Sequence, residues 1–260
     1  MINLKTCLAV AVMAVCVSLV PLTSLETAWN PALALGERPE GSVLLRKTAM
    51  PISNSQMDCS KSNRRMTTMC ALSANQKIIV IDAGHGGWDP GKVSSQNHEE
   101  AQINLAIAGM LQMYLENAGA TVFTTRADDV ALGDTKRKDL RARTDMPSHM
   151  QAHLLVSIHQ NAFTSPKVHG AQVFYYDGSE QSQKLAEAIQ TQIRTFLDHD
   201  NKMEAKASTS YFLLKETATP AVIVECGFLT NHDEMLKLAT PEYQQKIAWA
   251  IYLGILDYFK

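Results

Sequence analysis

The sequence predicts an α/β fold. It is a single domain with a mostly parallel, twisted sheet, helices on both faces, and the active site at the carboxyl ends of the strands. Three observations predict it. Strand-like and helix-like segments alternate from Lys77 to the C-terminus. Several strand segments, such as Ile78-Ile-Val-Ile81 and Val222-Ile-Val224, are apolar without polar alternation, as in strands buried on both faces. Three apolar strands also run into polar residues, around Asp82, His159 and Glu225, that their apolar bodies do not explain. In open α/β sheets ligands bind beyond the carboxyl ends of the strands.

The elements follow in order. Lys77-Ile-Ile-Val-Ile-Asp82 is a short apolar run ending in a Gly-rich turn, hence a buried strand. Glu100 to Ala118 carries a wide apolar stripe and stops at Gly119, hence a helix. Thr121 to Thr125 is a second strand. Lys136 to Gln151 is a helix rich in Arg and Lys, and Pro147 interrupts it or ends it early. Leu154 to His159 and Ala171 to Tyr176 are strands. Ser179 to Leu197 is a helix with Leu185, Ala188, Ile189, Ile193 and Phe196 on one side. Tyr211 to Leu214 reads as a short strand and Ala221 to Cys226 as a buried one. Pro241 to Phe259 closes the chain as a helix. There is no internal repeat.

The composition excludes whole classes. The chain has 260 residues, 46% hydrophobic and 19% charged, which suits one catalytic domain and not a disordered, collagen-like or coiled-coil chain. The formal net charge is −2. A mildly acidic folded part is a poor match for a phosphate backbone, so nucleic acid is not an expected partner.

The N-terminus points out of the cytoplasm. Lys5 is followed by an uncharged run from Cys7 to Val20 and then Pro21. Residues 1–34 read as a signal peptide, with Ala32-Leu33-Ala34 as a small-residue cleavage site, or as an uncleaved N-terminal anchor giving membrane association. Residues 35–76 lack a sustained period and read as a largely irregular linker; residues 77–260 form the catalytic domain. Five cysteines do not make a disulfide framework, although a Cys59–Cys70 bridge is open to the chain in an oxidising space. Cys226, alone in an apolar strand, reads as an inert buried thiol.

The chemistry gathers at the strand ends. They read Asp82-Ala-Gly-His85-Gly-Gly-Trp-Asp89-Pro-Gly91, Ser157-Ile-His159-Gln-Asn161 and Glu225-Cys-Gly227, with Glu99-Glu100 opening the first long helix. The two glutamates there also suit the helix dipole. Gly84, Gly86 and Gly87 leave room for a ligand's close approach, or serve a tight turn. A charged Glu225 directly after Val-Ile-Val is expensive to bury unpaired and calls for a cation, a metal-bound water or a proton. Two imidazoles and a carboxylate make a zinc set with the fourth position open to water, and a further carboxylate can move the proton. On spacing alone, either glutamate region supplies the ligand and the other the base.

These residues carry a resemblance. Asp82-Ala-Gly-His85-Gly-Gly-x-Asp89-x-Gly91, Glu100-x-x-x-Asn104-Leu105, Leu140-x-x-Arg143, Ser157-Ile-His159-x-Asn161-Ala162 and Pro220-Ala-Val-Ile-Val-Glu225-Cys-Gly-Phe-Leu occur in that order. Together they resemble the zinc-dependent N-acetylmuramoyl-L-alanine amidases (amidase type 3) that hydrolyse bacterial cell wall. The resemblance covers roughly residues 77–260. It implies His85, Glu100 and His159 as ligands of Zn2+ and Glu225 as the catalytic carboxylate. Glu100 is preferred to Glu99 because it lies four residues before Asn104-Leu105. Asn161 and Arg143 match family positions, and Arg143 is given a structural role in helix packing or an ion pair. The loop from Trp88 to His98 sets the width of the cleft or the hold on Glu100.

A narrower resemblance rests on Asp134-Thr-Lys-Arg-Lys-Asp-Leu140, His169-Gly-Ala-Gln-Val-Phe-Tyr175, Glu242-Tyr-Gln-Gln-Lys and the Ile251-Tyr-Leu-Gly-Ile-Leu-Asp-Tyr-Phe end. These are similar to the germination-specific amidases of spore-forming Firmicutes. That likeness implies cleavage between N-acetylmuramic acid and L-alanine in spore cortex peptidoglycan, as a first step towards the muramic-δ-lactam needed for germination. It implies an exported enzyme in the cell wall or the forespore intermembrane space, and an activating lipoprotein or other wall protein as partner. The alternatives are a zinc-dependent N-deacetylase on cell-wall glycan and a non-catalytic wall-binding protein.

Overall fold

The structure is a computed structural model and describes residues 74–260. The export signal or anchor, nearly all of the 35–76 linker and the Cys59–Cys70 pair lie outside the described residues. Ala74 is fully buried in the core, and Lys77 N–H donates to its carbonyl. Packed structure thus reaches at least three residues ahead of Lys77, to Ala74.

The strands are β1 (Ile78–Ala83), β2 (Thr121–Thr124), β3 (Leu154–Asn161), β4 (Gln172–Tyr176), β5 (Lys206–Ser208) and β6 (Ala221–Phe228). The helices are α1 (Glu100–Asn117), α2 (Lys136–His149), α3 (Glu180–Phe196), α4 (Phe212–Glu216), α5 (His232–Leu238) and α6 (Pro241–Tyr258). They build one six-stranded sheet in the order β2-β1-β3-β6-β4-β5. β2, β1, β3 and β6 run parallel; β4 and β5 are parallel to each other and antiparallel to β6. The mostly parallel α/β sheet is as the sequence predicts.

This order fixes where a ligand can sit. After β1 the chain passes through α1 to β2 on one side of it, then through α2 to β3 on the other. The two crossovers leave in opposite directions, so the helices cover opposite faces and a crevice opens beyond the carboxyl ends of β1 and β3.

The faces differ in chemistry. On one, α1, α3 and α6 bury Ile107, Leu111, Ile189, Ile193, Ile251 and Ile255 against Ile79, Ile81, Val156 and Val224. Their four-residue spacing forms the apolar stripes read in the sequence. On the other, a smaller cluster joins Val80, Leu155, Phe174 and Ile223 to Leu213 and Leu214 of α4. α2 adds little apolar surface there, because its buried residues are Asp139, Arg143, Thr144 and Pro147. Met146 packs half-buried against that cluster, and Arg143 ties the helix to β1 through Asp82 and the Ala83 carbonyl.

Several details depart from the sequence reading. Tyr211 to Leu214 is not a strand: Tyr211 caps α4, and Lys215 N–H donates to its carbonyl. Leu213 and Leu214 are both buried in one cluster, whereas a strand would send neighbours to opposite faces. The short apolar run suits both states, and the helical one buries both leucines. The three-residue β5 and the helix α5 escape a reading based on apolar periods. Pro147 lies inside α2, which runs only two residues further. Phe196 is exposed at the end of α3.

Candidate metal centre

His85, two residues past the end of β1, lies in the left-handed region at φ 63°. Its backbone is pinned from below. Arg143 of α2 donates from Nη1 to the carbonyl of Ala83 at 2.8 Å and from Nη2 to the carbonyl of His85 at 2.7 Å. Arg126, just past β2, donates from Nε to Ala83 O at 2.9 Å and from Nη2 to Gly84 O at 3.0 Å. Asn104 of α1 donates to the same Gly84 carbonyl at 3.1 Å. All three side chains are buried.

The Arg143 guanidinium is itself held by Asp82 Oδ1 at 2.7 Å and Asp139 Oδ2 at 2.7 Å. Burial alone would raise the Asp82 carboxyl. The Arg143 charge and hydrogen bonds from Ser157 and Thr125 outweigh it and bring the group down to about 2. Asp82 is therefore an ion-pair partner and does not enter the ligand cluster, although its strand-end position groups it with His159 and Glu225. Arg143 has the ion-pair role expected of it and, in addition, grips the His85 carbonyl.

Three donor side chains converge above this platform. His159 Nδ1 lies 3.0 Å from Glu100 Oε1, and His85 Nε2 lies 3.2 Å from the same oxygen. The donor atoms of His85, Glu100 and His159 all fall within 4.8 Å of one another. Glu100 opens α1, where the helix dipole favours a carboxylate. It accepts from Lys92 N–H at 2.9 Å and Gln160 N–H at 3.1 Å. Burial pushes its carboxyl up, but hydrogen bonds and charge from the two imidazoles hold it well below the usual carboxylate range. His159 is raised in return: burial pulls it down, and Glu100 more than reverses that. Glu99, one residue earlier, is exposed. The 88–98 loop therefore contributes to the hold on Glu100 through Lys92.

His85 Nδ1 is 2.9 Å from Asp89 Oδ2, and Lys136 Nζ bonds the same carboxylate oxygen. A proton on Nδ1 given to Asp89 leaves Nε2 with its lone pair aimed at the cluster, the usual way a carboxylate orients a ligating histidine. Gly84 has a separate task. A Cβ there would fall 2.2 Å from the His159 ring, so only glycine lets the two strand ends close on each other. Gly86 and Gly87 have positive φ and make the turn that follows.

Glu225 stands on β6, paired in register with His159 on β3. It is buried, and its Oε2 has no hydrogen-bond partner. Burial pushes the carboxyl up, Glu100 adds to the rise, and the result is about 7 despite the opposing imidazoles. Cys226 beside it is fully buried and its thiol is pushed far up by burial, which fits an inert side chain.

The four residues singled out in the sequence thus meet in one place. Two imidazoles and one carboxylate suit a tetrahedral zinc with an open position, and the buried Glu225 Oε2, on the strand paired with that of His159, has no hydrogen-bond partner among the described residues. Sequence reasoning missed Arg126 and the orienting roles of Asp89 and Gln160. Arg126 carried no usable signal; Asp89, four residues after His85, did.

Comparisons with known proteins follow the same line. The N-acetylmuramoyl-L-alanine amidase family matches residues 79–257. The germination-specific N-acetylmuramoyl-L-alanine amidase of Bacillus subtilis strain 168 is 39% identical over 197 residues, covering 73% of this chain and 82% of that protein. Among solved structures, the CwlD amidase of Clostridioides difficile, in complex with the GerS lipoprotein, has a TM-score of 0.68 and 40% identity. The match covers 70% of this chain and 98% of that one. The amidase AmiC2 of Nostoc punctiforme has a TM-score of 0.63 and 32% identity, over 70% of this chain and 96% of its own.

Proposed function

The chain belongs to the N-acetylmuramoyl-L-alanine amidase family, and from that premise we propose that it works with zinc, held by His85, Glu100 and His159, on the peptidoglycan of the spore cortex. It is an N-acetylmuramoyl-L-alanine amidase, and peptidoglycan is its substrate. The observation that carries the finer reading is the convergence of two imidazoles and a carboxylate beside a buried, unpartnered carboxyl group.

Zinc in that set supplies a Lewis acid for the lactyl carbonyl of N-acetylmuramic acid and favours ionisation of the attacking water. Glu225 takes the proton of that water as its oxygen adds to the carbonyl carbon. It returns the proton to the L-alanine nitrogen as the C–N bond breaks, leaving a carboxylic acid on the sugar and a free amine on the peptide. Burial keeps Glu225 basic enough to accept the proton and acidic enough to give it back. Asp89 fixes the His85 tautomer, and Arg126, Arg143 and Asn104 keep the His85 loop from yielding.

The likeness to the germination-specific Bacillus enzyme supports a role at germination, with cleavage preceding muramic-δ-lactam formation. A cell-wall substrate supports action outside the cytoplasm, and the uncharged Cys7–Val20 run supports residues 1–34 as a signal peptide or an N-terminal anchor. The solved relative bound to a lipoprotein supports a lipoprotein partner here.

Muropeptide analysis tests this. Peptidoglycan from spores and from vegetative cells is digested with the protein, with zinc and with chelator. Zinc-dependent release of peptides beginning with L-Ala, greater from cortex, is expected. Release that persists in chelator removes zinc from the mechanism. Equal release from both walls removes the cortex preference. Free acetate in place of peptide assigns the chain to deacetylation.

A further inference from the structure

The metal centre accounts for the amide bond but not for the sugars on either side of it. A peptidoglycan amidase acts on one residue of a glycan strand, and the strand must lie against the rim of its site. One exposed aromatic side chain stands next in sequence to a residue that holds His85. Trp88 sits at the tip of a two-residue turn three positions after His85. The turn is closed by Gly86 N–H donating to Asp89 O at 2.8 Å and Asp89 N–H donating to Gly86 O at 3.2 Å.

The Trp88 indole spends its only hydrogen bond internally, with Nε1 donating to the carbonyl of Gly133 at 2.9 Å. Its side chain is nevertheless 52% exposed. Val130, on the loop that Trp88 leans on, is also exposed, and Gly87 N–H ties that loop to the turn through Asp129 Oδ1 at 2.9 Å. The ring is thus fixed, with its polar edge satisfied and much of its apolar surface left to solvent. The residue after it, Asp89, holds His85, so the ring is rigidly coupled to the reacting centre.

We propose that Trp88 is a specificity-determining residue of this amidase, a platform on which a sugar ring of the glycan strand stacks. The reading rests on the amidase assignment. Pyranose rings offer an apolar face of C–H bonds, and an aromatic ring covers it with little loss of conformational freedom when the ring is already fixed. The alternative is that Trp88 merely caps the 127–133 loop. That role needs the indole N–H on Gly133 but not the exposed face, so the two readings part on which substitution does harm.

The test compares Trp88→Ala and Trp88→Phe in the full chain. The first measurement is calorimetric affinity for peptide-free glycan strands. The second is KM and kcat on peptide-bearing strands with zinc. Trp88→Ala is expected to weaken strand binding and raise KM by about ten-fold, with kcat nearly unchanged, a loss typical of one stacked aromatic contact. Trp88→Phe, which keeps a ring but loses the N–H, is expected to stay within about three-fold of the unsubstituted chain. Unchanged affinity and KM in Trp88→Ala overturn the proposal. So does Trp88→Phe failing as badly as Trp88→Ala, which would make the Gly133 bond the important feature. If the unsubstituted chain turned over no peptidoglycan, the amidase reading would fail, while binding of peptide-free strands would still report on Trp88.

Discussion

Glu225 carries a carboxyl group that burial makes costly to ionise, with one oxygen lacking a partner, on the strand that pairs in register with His159. Such groups persist where they do chemistry. Glu225→Gln keeps the shape and removes the proton acceptor. It is expected to lower kcat by about 10²–10⁴-fold while zinc still binds at one per chain, read by activity and metal analysis together. Near-normal turnover would remove Glu225 from its role. Gly84 makes a different prediction. In Gly84→Ala the new methyl overlaps the His159 ring, and either the ring or the β1 end must move. Zinc affinity is expected to fall by about ten-fold or more with little change in far-UV circular dichroism. Unchanged affinity would show that the strand ends give way without cost.

Among the elements, α2 is the one that binds the sheet through charge. Arg143 meets Asp82 and Asp139 where a helix would ordinarily bury leucines. The Asp82 carboxyl is lowered from its ordinary 3.8 to about 2. A carboxyl lowered by folding adds stability that is complete above its unfolded value and is lost as pH falls through its folded one. Roughly 2 kcal/mol is therefore expected to disappear between about pH 4 and pH 2. Asp82→Asn is expected to lose about 3–5 kcal/mol at pH 7 and to lack that part of the acid dependence, measured by urea unfolding at several pH values. An identical acid profile in the variant would assign the slope to other groups. On the opposite face, α3 and α6 cross so closely at Gly254 that a Cβ there would meet Ile189 Cα at 2.4 Å. Gly254→Ala ordinarily favours a helix by about 1 kcal/mol. Here it is expected to lower stability by about 1–3 kcal/mol through overpacking, checked by thermal melting.

For the molecule as a whole, the candidate metal centre brings together three separate parts of the chain: the β1 turn, the start of α1 and the end of β3. A cation that binds only the folded state adds stability by mass action. Zinc at about 100 times its Kd is expected to add roughly 2.7 kcal/mol, seen as a higher Tm that chelator reverses and His159→Ala abolishes. A Tm indifferent to zinc would count against the three-residue site. Among the described residues no helix is long and apolar enough to cross a membrane.

The sequence by itself determined the α/β class, the main strands and the long helices, and it singled out His159 and Glu225 as polar ends of apolar runs. These were legible because burial on both faces of a parallel strand demands an unbroken apolar run, and the polar residue that ends such a run stands out. His85 and Glu100, outside such runs, were assigned as ligands through the family resemblance, as was the choice of Glu100 over Glu99. The same logic left the role of Asp82 open, since a strand-end carboxylate looks alike whether it faces a ligand or a buried arginine. It also took Tyr211–Leu214 for a strand, since four apolar residues fit either period. Only the tertiary structure decided the antiparallel turn of β4 and β5, the two arginines that pin the His85 loop, and the approach that makes Gly84 obligatory. Those depend on residues that are distant in sequence and meet only across the sheet; Arg126 and Gly84 are 42 positions apart and share one hydrogen bond. Periodicity reports what a residue's own segment buries, and it carries no term for the partner that arrives from elsewhere.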